Sequence, residues 1–137
     1  MDELQLPCEP TSPRAARRWL RALVEHHDAD AGDTLELLLT EVVTNVVVHA
    51  GTPSTLRFFD VGPVLCVEVE DGSVQPPYRA RPSRASDENG RGVELLNSLS
   101  VFWGCRRVPG GKVVWFCVPT TPAAVSSGTA QALRWAG

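Results

Sequence analysis

The chain has 137 residues, of which 43% are hydrophobic and 21% are charged. This composition is typical of one globular domain and excludes a disordered chain. The formal net charge of −3 leaves no basic surplus, which argues against a direct nucleic-acid binder, because such proteins release counterions from phosphates with positive charge. No apolar run is long enough to span a bilayer, and the acidic start is unlike a signal peptide, so we expect a cytoplasmic protein that does not bind a membrane.

The expected cytoplasmic location determines how the cysteines are interpreted. The four cysteines are scattered and form no Cys-x-x-Cys pair; they are Cys8, Cys66, Cys105 and Cys117. In a reducing compartment this pattern predicts free thiols, several of which fill the core.

The first third of the chain predicts a short strand and two helices. Residues 3–8 alternate weakly, as in an edge strand. Ser12 is the expected N-cap of a first helix that runs to about His27, with a proline at the first helical position.

The second helix is expected to open at Asp33 or Thr34 and to end at Gly51. Its valine-rich half resembles a buried strand, but the length of the apolar run favours a helix.

The rest of the chain predicts two hairpins separated by a long loop and a third helix. In chain order the segments are strands 56–60 and 64–70, loop 72–90, helix 92–99, strands 101–107 and 112–118, and a loose tail 119–137. The order of elements predicts a single α+β domain over residues 1–118, with helices layered on one face of an antiparallel or mixed sheet.

Three polar residues recur at helical spacing on the second predicted helix: Glu41, Asn45 and His49. On residue spacing alone, an ordinary solvent-facing stripe explains them. A carboxylate one turn before a carboxamide is also what magnesium-dependent phosphoryl transfer uses, because the amide oxygen is a hard ligand and the carboxylate accepts a proton.

The segment Asp71-Gly72-Ser73 follows a predicted strand. An aspartate there can accept a hydrogen bond from an exocyclic amine while the glycine permits close approach of a ligand. An ordinary Asp-Gly turn is the alternative interpretation.

The segment Gly90-Arg91-Gly92-Val93 leads from the long loop into the third predicted helix. Glycines at a helix N-terminus expose backbone N–H groups to an anion. The segment lacks the Gly-Lys-Ser/Thr ending of a Walker motif. Arg91 either contacts a phosphate or faces solvent.

In this order, the three segments resemble the N, G1 and G2 boxes of the GHKL ATPase superfamily. The closing Gly110-Gly111-Lys112-Val113-Val114-Trp115 is similar to the final strand of the small anti-sigma-factor serine kinases. The resemblance covers residues 12–118 and implies the Bergerat-type two-layer α/β sandwich, with a mostly antiparallel sheet and helices on one face.

The resemblance also implies ligands and roles. Glu41 would be the general base, and Asn45 would bind Mg²⁺. Asp71, with Gly72 and Ser73, would bind the adenine of ATP. His49 would be a supporting or capping group of the ATP site, and the segment 90–93 would contact phosphates beneath a lid formed by residues 75–89.

The partners implied are an anti-anti-sigma protein of the STAS type, phosphorylated on serine, and a sigma factor that is sequestered; a homodimer is expected. Two arginine clusters, at residues 14–21 and 79–84, are either solvated faces or a partner surface and phosphate-steering rim.

Two departures from the family pattern motivate an alternative, a catalytically weak nucleotide-gated binding module. The G1 box lacks its second glycine, and Val113 stands where relatives carry a threonine that supports the adenine site. A sensor histidine kinase is a weaker rival, because the segment before the motifs is too short for its phosphoacceptor helices.

Overall fold

The computed structural model describes residues 1–75 and 102–120. These residues form two α-helices, one π-helical turn and a five-stranded sheet. The predicted third helix at 92–99, most of the predicted lid and most of the predicted tail lie outside the described residues.

Helix α1 spans Ser12–Val24 and buries Ala16, Leu20 and Val24, residues that recur every fourth position. Its N-cap is Thr11, so the prediction that Ser12 caps the helix is wrong by one residue. The Ser12 hydroxyl donates instead to the Pro7 carbonyl and accepts from the Glu9 N–H. This side chain therefore fixes the turn between the first strand and α1.

Helix α2 spans Ala29–Asn45 and begins earlier than the predicted Asp33 or Thr34. Asp28 caps it, accepting the Ala31 N–H at 3.0 Å. Gly32 lies inside the helix. A Cβ at this position would come within 3.1 Å of a Val24 methyl group. The absence of a side chain at Gly32 lets α1 and α2 pack closely.

After Asn45 the helix widens into a π-helical turn, Val46–Ala50. Gly51 ends it in the left-handed conformation at φ 66°, and its N–H donates to the Val46 carbonyl at 2.8 Å. The predicted end of the helix at Gly51 is confirmed, and the valine-rich run is helical rather than a strand.

The strands are β1 Asp2–Leu6, β2 Ser54–Val61, β3 Val64–Asp71, β4 Phe102–Val108 and β5 Gly111–Pro119. Their order across the sheet is β1-β2-β3-β5-β4, and each described neighbouring pair is antiparallel. Both predicted hairpins are confirmed, and β1 is an edge strand of this sheet as predicted. The α+β class with a largely antiparallel sheet is also confirmed.

Side chains alternate between two faces of the sheet. On the helix face, strand residues such as Leu56, Val69 and Phe116 join one core with the buried residues of α1 and α2. On the outer face, a second cluster is formed by strand residues alone: Val64, Cys66, Val113, Trp115 and Cys117. The helices therefore lie on one face, as predicted.

The prediction of four free thiols is wrong for two of them. Cys66 and Cys117 lie directly opposite each other on β3 and β5, are fully buried and form a disulfide. Cys8 and Cys105 are free. Since the pairing depends on the register of two strands 51 residues apart, spacing along the chain could not indicate it.

Candidate functional site

Glu41 and Asn45 lie one turn apart on α2, and both are half-buried. The residues between and beside them, such as Val42, Val43 and Val46, are buried in the core. The pair therefore lies at the border between the packed and open sides of the helix. Asn45 presents an amide oxygen there, and this type of donor fits a hard cation such as Mg²⁺.

His49 lies in the π-helical turn and is exposed. A π-helical turn bonds residue i to i+5, so it is wider than an α-helical turn. The stripe that joins Glu41 to Asn45 therefore does not continue to His49 with α-helical spacing. The i, i+4, i+8 pattern in the sequence gave no sign of this change.

Asp71 ends β3 on the helix face, and its side chain is only 1% exposed. Its Oδ1 accepts the Ser73 N–H at 2.8 Å and the Lys112 ammonium at 3.1 Å. Its Oδ2 lies 3.0 Å from the Lys112 Nζ, but with an orientation that makes no hydrogen bond; within the described residues this buried oxygen accepts none. A buried acceptor without a hydrogen bond fits a ligand amine.

Lys112, rather than Val113, is the β5 residue that faces Asp71. The register pairs Asp71 with Lys112 and Glu70 with Val113, and Val113 packs in the cluster on the outer face. The expectation that Val113 occupies the supporting position beside the adenine site is therefore corrected, because alternation places residue 113 on the opposite face.

The exit of the α2 segment contacts the Asp71 segment directly. The Gly72 N–H donates to the Thr52 hydroxyl at 2.9 Å, and Thr52 follows Gly51 at the end of the π-helical turn. A Cβ on Gly72 would lie 3.3 Å from the Thr52 methyl group. The helix that carries Asn45 and the strand end that carries Asp71 are thus tied together at one edge of the domain.

Gly111 brings β5 close to the same strand end. A Cβ at this position would overlap the carbonyl oxygen of Asp71, so only glycine permits the approach that places Lys112 beside the carboxylate. Sequence reasoning missed Thr52 and Lys112. The available signal for Lys112 was a single charge at the start of an otherwise apolar strand.

An open groove of about 490 Å³ is bordered by the end of β1, the start of β2, the segment 70–72 and Gly110. Asp71 and Gly72 line it, whereas Glu41 and Asn45 do not, so the groove lies beside the predicted site. The predicted phosphate-binding residues Gly90, Arg91, Gly92 and Val93 lie outside the described residues.

Residues 1–75 and 102–120 offer neither a clustered metal site nor a helix that could span a membrane. That part of the chain contains no group of three or more His, Cys, Asp or Glu side chains arranged to hold a metal ion. None of its helices has the length and apolar character needed to cross a bilayer.

Two solved structures share the fold. The chain is 15% identical to the structure of the RsbU and RsbW domains of a Mycobacterium tuberculosis protein, with a TM-score of 0.65; the match covers 87% of this chain and 32% of that one. It is 12% identical to the catalytic domain of the histidine kinase ThkA, with a TM-score of 0.54, covering 90% and 99% of the two chains. The chain thus spans about a third of the first structure.

No curated protein matches the chain significantly. A family model described as the histidine kinase-like ATPase domain matches residues 6–118, a range that includes α1, α2, strands β2 to β4, nearly all of β5 and each predicted box. The family description implies ATP binding. The chain therefore belongs to the histidine kinase-like ATPase domain family.

Proposed function

We propose that the protein is a regulatory serine/threonine kinase of the anti-sigma-factor type, which binds Mg²⁺-ATP and transfers phosphate to an anti-anti-sigma protein. The observation that carries the proposal is the buried Asp71 Oδ2, which accepts no hydrogen bond within the described residues. A buried acceptor at a strand end, tied to the helix that carries Glu41 and Asn45, supports recognition of an adenine amine.

Each residue has a role in this proposal. Asp71 accepts the exocyclic amine, while Gly72 allows the base to approach. Asn45 would hold Mg²⁺ through its amide oxygen, and the ion would offset the charge of the phosphates. Glu41 accepts the proton of the serine hydroxyl as that oxygen attacks the γ-phosphorus, and the bond from this phosphorus to the β,γ-bridging oxygen breaks to release ADP. Segment 90–93 contacts phosphates, and His49 supports the ATP site from the helix end.

Nucleotide binding is the first test. We expect Asp71→Asn to weaken ATP binding by roughly 10- to 100-fold, because a hydrogen bond to a charged group contributes about 1.5–3 kcal/mol. Glu68→Gln is the matched control, since Glu68 is buried on the same strand but faces away from the helices. Titration calorimetry that gives equal affinities for Asp71→Asn and the native protein would overturn the adenine assignment.

Phosphate transfer is the second test. Glu41→Gln should lower the rate of labelling of a purified STAS-type partner by roughly 10²- to 10⁴-fold, the range of a general base, while ATP affinity changes little. Glu36→Gln makes the same change on the same helix at a residue paired with Arg21 and should keep the native rate. Native labelling by Glu41→Gln would exclude Glu41 as the base.

A catalytically weak, nucleotide-gated binding module is the second candidate function. The observation that favours it is the closed geometry after Asp71. Ser73 donates its N–H to the carboxylate, and the Ser73 hydroxyl accepts the Gln75 N–H at 3.1 Å. These local turns stand where the family pattern has a second glycine. ATP-dependent binding of a sigma factor without labelling of any STAS-type partner would select this function.

A further inference from the structure

We propose that Lys112 determines base specificity by donating a hydrogen bond to the N1 ring nitrogen of adenine, while Asp71 Oδ2 accepts the neighbouring exocyclic amine. The inference rests on the nucleotide site proposed above and adds a residue to it. It starts from a buried lysine whose position is fixed by the sheet.

The backbone pairing of β3 with β5 fixes the position of Lys112. Asp71 and Lys112 are directly opposite each other on β3 and β5, and Gly111 allows the strands to meet there. The Lys112 side chain is only 10% exposed. An ammonium held in this way has little freedom to leave the carboxylate, so a ligand at Asp71 also meets Lys112.

The pair presents an acceptor beside a donor. Asp71 Oδ1 already accepts two hydrogen bonds, from Ser73 and Lys112, whereas Oδ2 lies 3.0 Å from the same ammonium and accepts no hydrogen bond among the described residues. The ammonium carries three N–H groups, and one of them serves Oδ1. The ligand edge that complements this arrangement has an N–H donor next to an acceptor, and the N6 and N1 atoms of adenine are such an edge.

A purely structural role explains the pair less well. A buried ion pair is weak evidence for stability, because apolar residues of similar volume often do as well. When a carboxylate serves only the fold, its oxygens are expected to be satisfied by protein groups. Glu68 meets that expectation on the outer face, because each of its oxygens accepts a hydrogen bond from an arginine, whereas Asp71 Oδ2 lies 3.0 Å from the Lys112 ammonium but accepts no hydrogen bond among the described residues.

The test compares ATP with 1-deaza-ATP, in which C–H replaces N1. The native protein should bind ATP roughly tenfold or more tightly, because a charged donor loses its partner in the analogue. Lys112→Met should bind the two nucleotides equally. Arg107→Met is the matched control, since Arg107 is an exposed cation opposite Lys112 on β4, and it should keep the native ratio.

A second variant keeps the test decisive if Lys112→Met does not fold. Lys112→Gln retains a neutral N–H donor and should keep part of the discrimination. Equal affinities of the native protein for ATP and 1-deaza-ATP, an unchanged ratio in Lys112→Met, or tighter binding of GTP than of ATP would each overturn the role of Lys112. Failure of Asp71→Asn to weaken ATP binding would instead overturn the nucleotide site itself.

Discussion

Two buried carboxylates on the same strand illustrate how the faces of the sheet differ. Asp71 and Glu68 are 4% and 6% exposed and point to opposite sides of β3. Glu68 has Arg106 at 2.6 Å from one oxygen and Arg57 at 3.4 Å from the other. Asp71 has the Lys112 ammonium at 3.1 Å and 3.0 Å from its two oxygens, and the second of these oxygens accepts no hydrogen bond in the described structure. Burial alone does not indicate a ligand site, whereas a buried acceptor without a hydrogen bond calls for an explanation.

The outer face satisfies its charges across neighbouring strands. Arg57 also lies 2.9 Å from Glu70 and 3.4 Å from Glu3. Burial lowers the pKa of the Arg57 guanidinium, but the hydrogen bond and charge of Glu70, with the charges of Glu68 and Glu3, raise it above its ordinary value. Since these groups offset one another, the outer face needs no ligand, and we interpret its network as structural.

The largest expected effect concerns the disulfide of the outer face. A cross-link that closes 51 residues reduces the entropy of the unfolded chain, so its reduction should lower the free energy of unfolding by about 4 kcal/mol. Urea unfolding with and without reductant measures the loss, and Cys105→Ala is the control. ATP affinity of the folded protein should stay the same.

A thiol count tests the same bond. The protein unfolded without reductant should show two reactive thiols, Cys8 and Cys105, and four after reduction. Four thiols before reduction would show that Cys66 and Cys117 are not joined.

Removing the cation beside each carboxylate should lower the free energy of unfolding by less than reduction of the disulfide does, and by different amounts for Asp71 and Glu68. Lys112→Met leaves Asp71 buried beside no cation among its described contacts, which we expect to lower the free energy of unfolding by about 3 kcal/mol. Arg106→Met should lower it by about 1 kcal/mol, because Arg106 is 43% exposed and Glu68 keeps Arg57. Urea midpoints measure both variants. Equal losses would remove the distinction between the two faces.

The fold was largely predictable from the sequence because its signals are local. The two hairpins follow from strand runs separated by glycine and proline, and Gly51 ended the second helix as expected. The start of α2 was not predictable, because Asp28 and Asp33 are equally good caps and only the hydrogen bond from the Ala31 N–H to Asp28 shows which of them begins the helix. The π-helical turn likewise has no sequence signature.

The candidate site is proposed from segments of the sequence, and the contacts of those segments could not be predicted. Asp71 and Asn45 are recognised from motif order, yet their relation depends on Thr52, which no motif includes. Lys112 was overlooked because its role depends on β3–β5 register, in which a shift of one residue moves every side chain to the other face. The disulfide depends on the same register. Pairings between distant strands were thus the main information missing from the sequence.

The smallest expected effect is a change in the reactivity of the Cys105 thiol, which lies on the helix face. Burial raises the pKa of its thiol, as does the charge of Asp71, while Lys112, Arg107 and Arg106 lower it; the result lies above the ordinary value. The thiolate is therefore disfavoured in the folded protein. The protonated thiol of Cys105 therefore favours the folded state. This contribution to stability is fully present below the pKa of the thiol in the unfolded chain and is lost as the pH rises through its pKa in the folded protein.

Neutralising each carboxylate in turn should show which one Cys105 senses. Asp71→Asn removes a charge that raises the pKa of the thiol, so at pH 8 it should increase the thiolate fraction and accelerate alkylation of Cys105 by iodoacetamide. Glu68→Gln should change the rate less, because the carboxylate whose charge raises the pKa of this thiol is Asp71. The rate is followed by mass spectrometry of the Cys105 peptide. Equal acceleration by both variants would mean that the thiol responds to net charge rather than to Asp71.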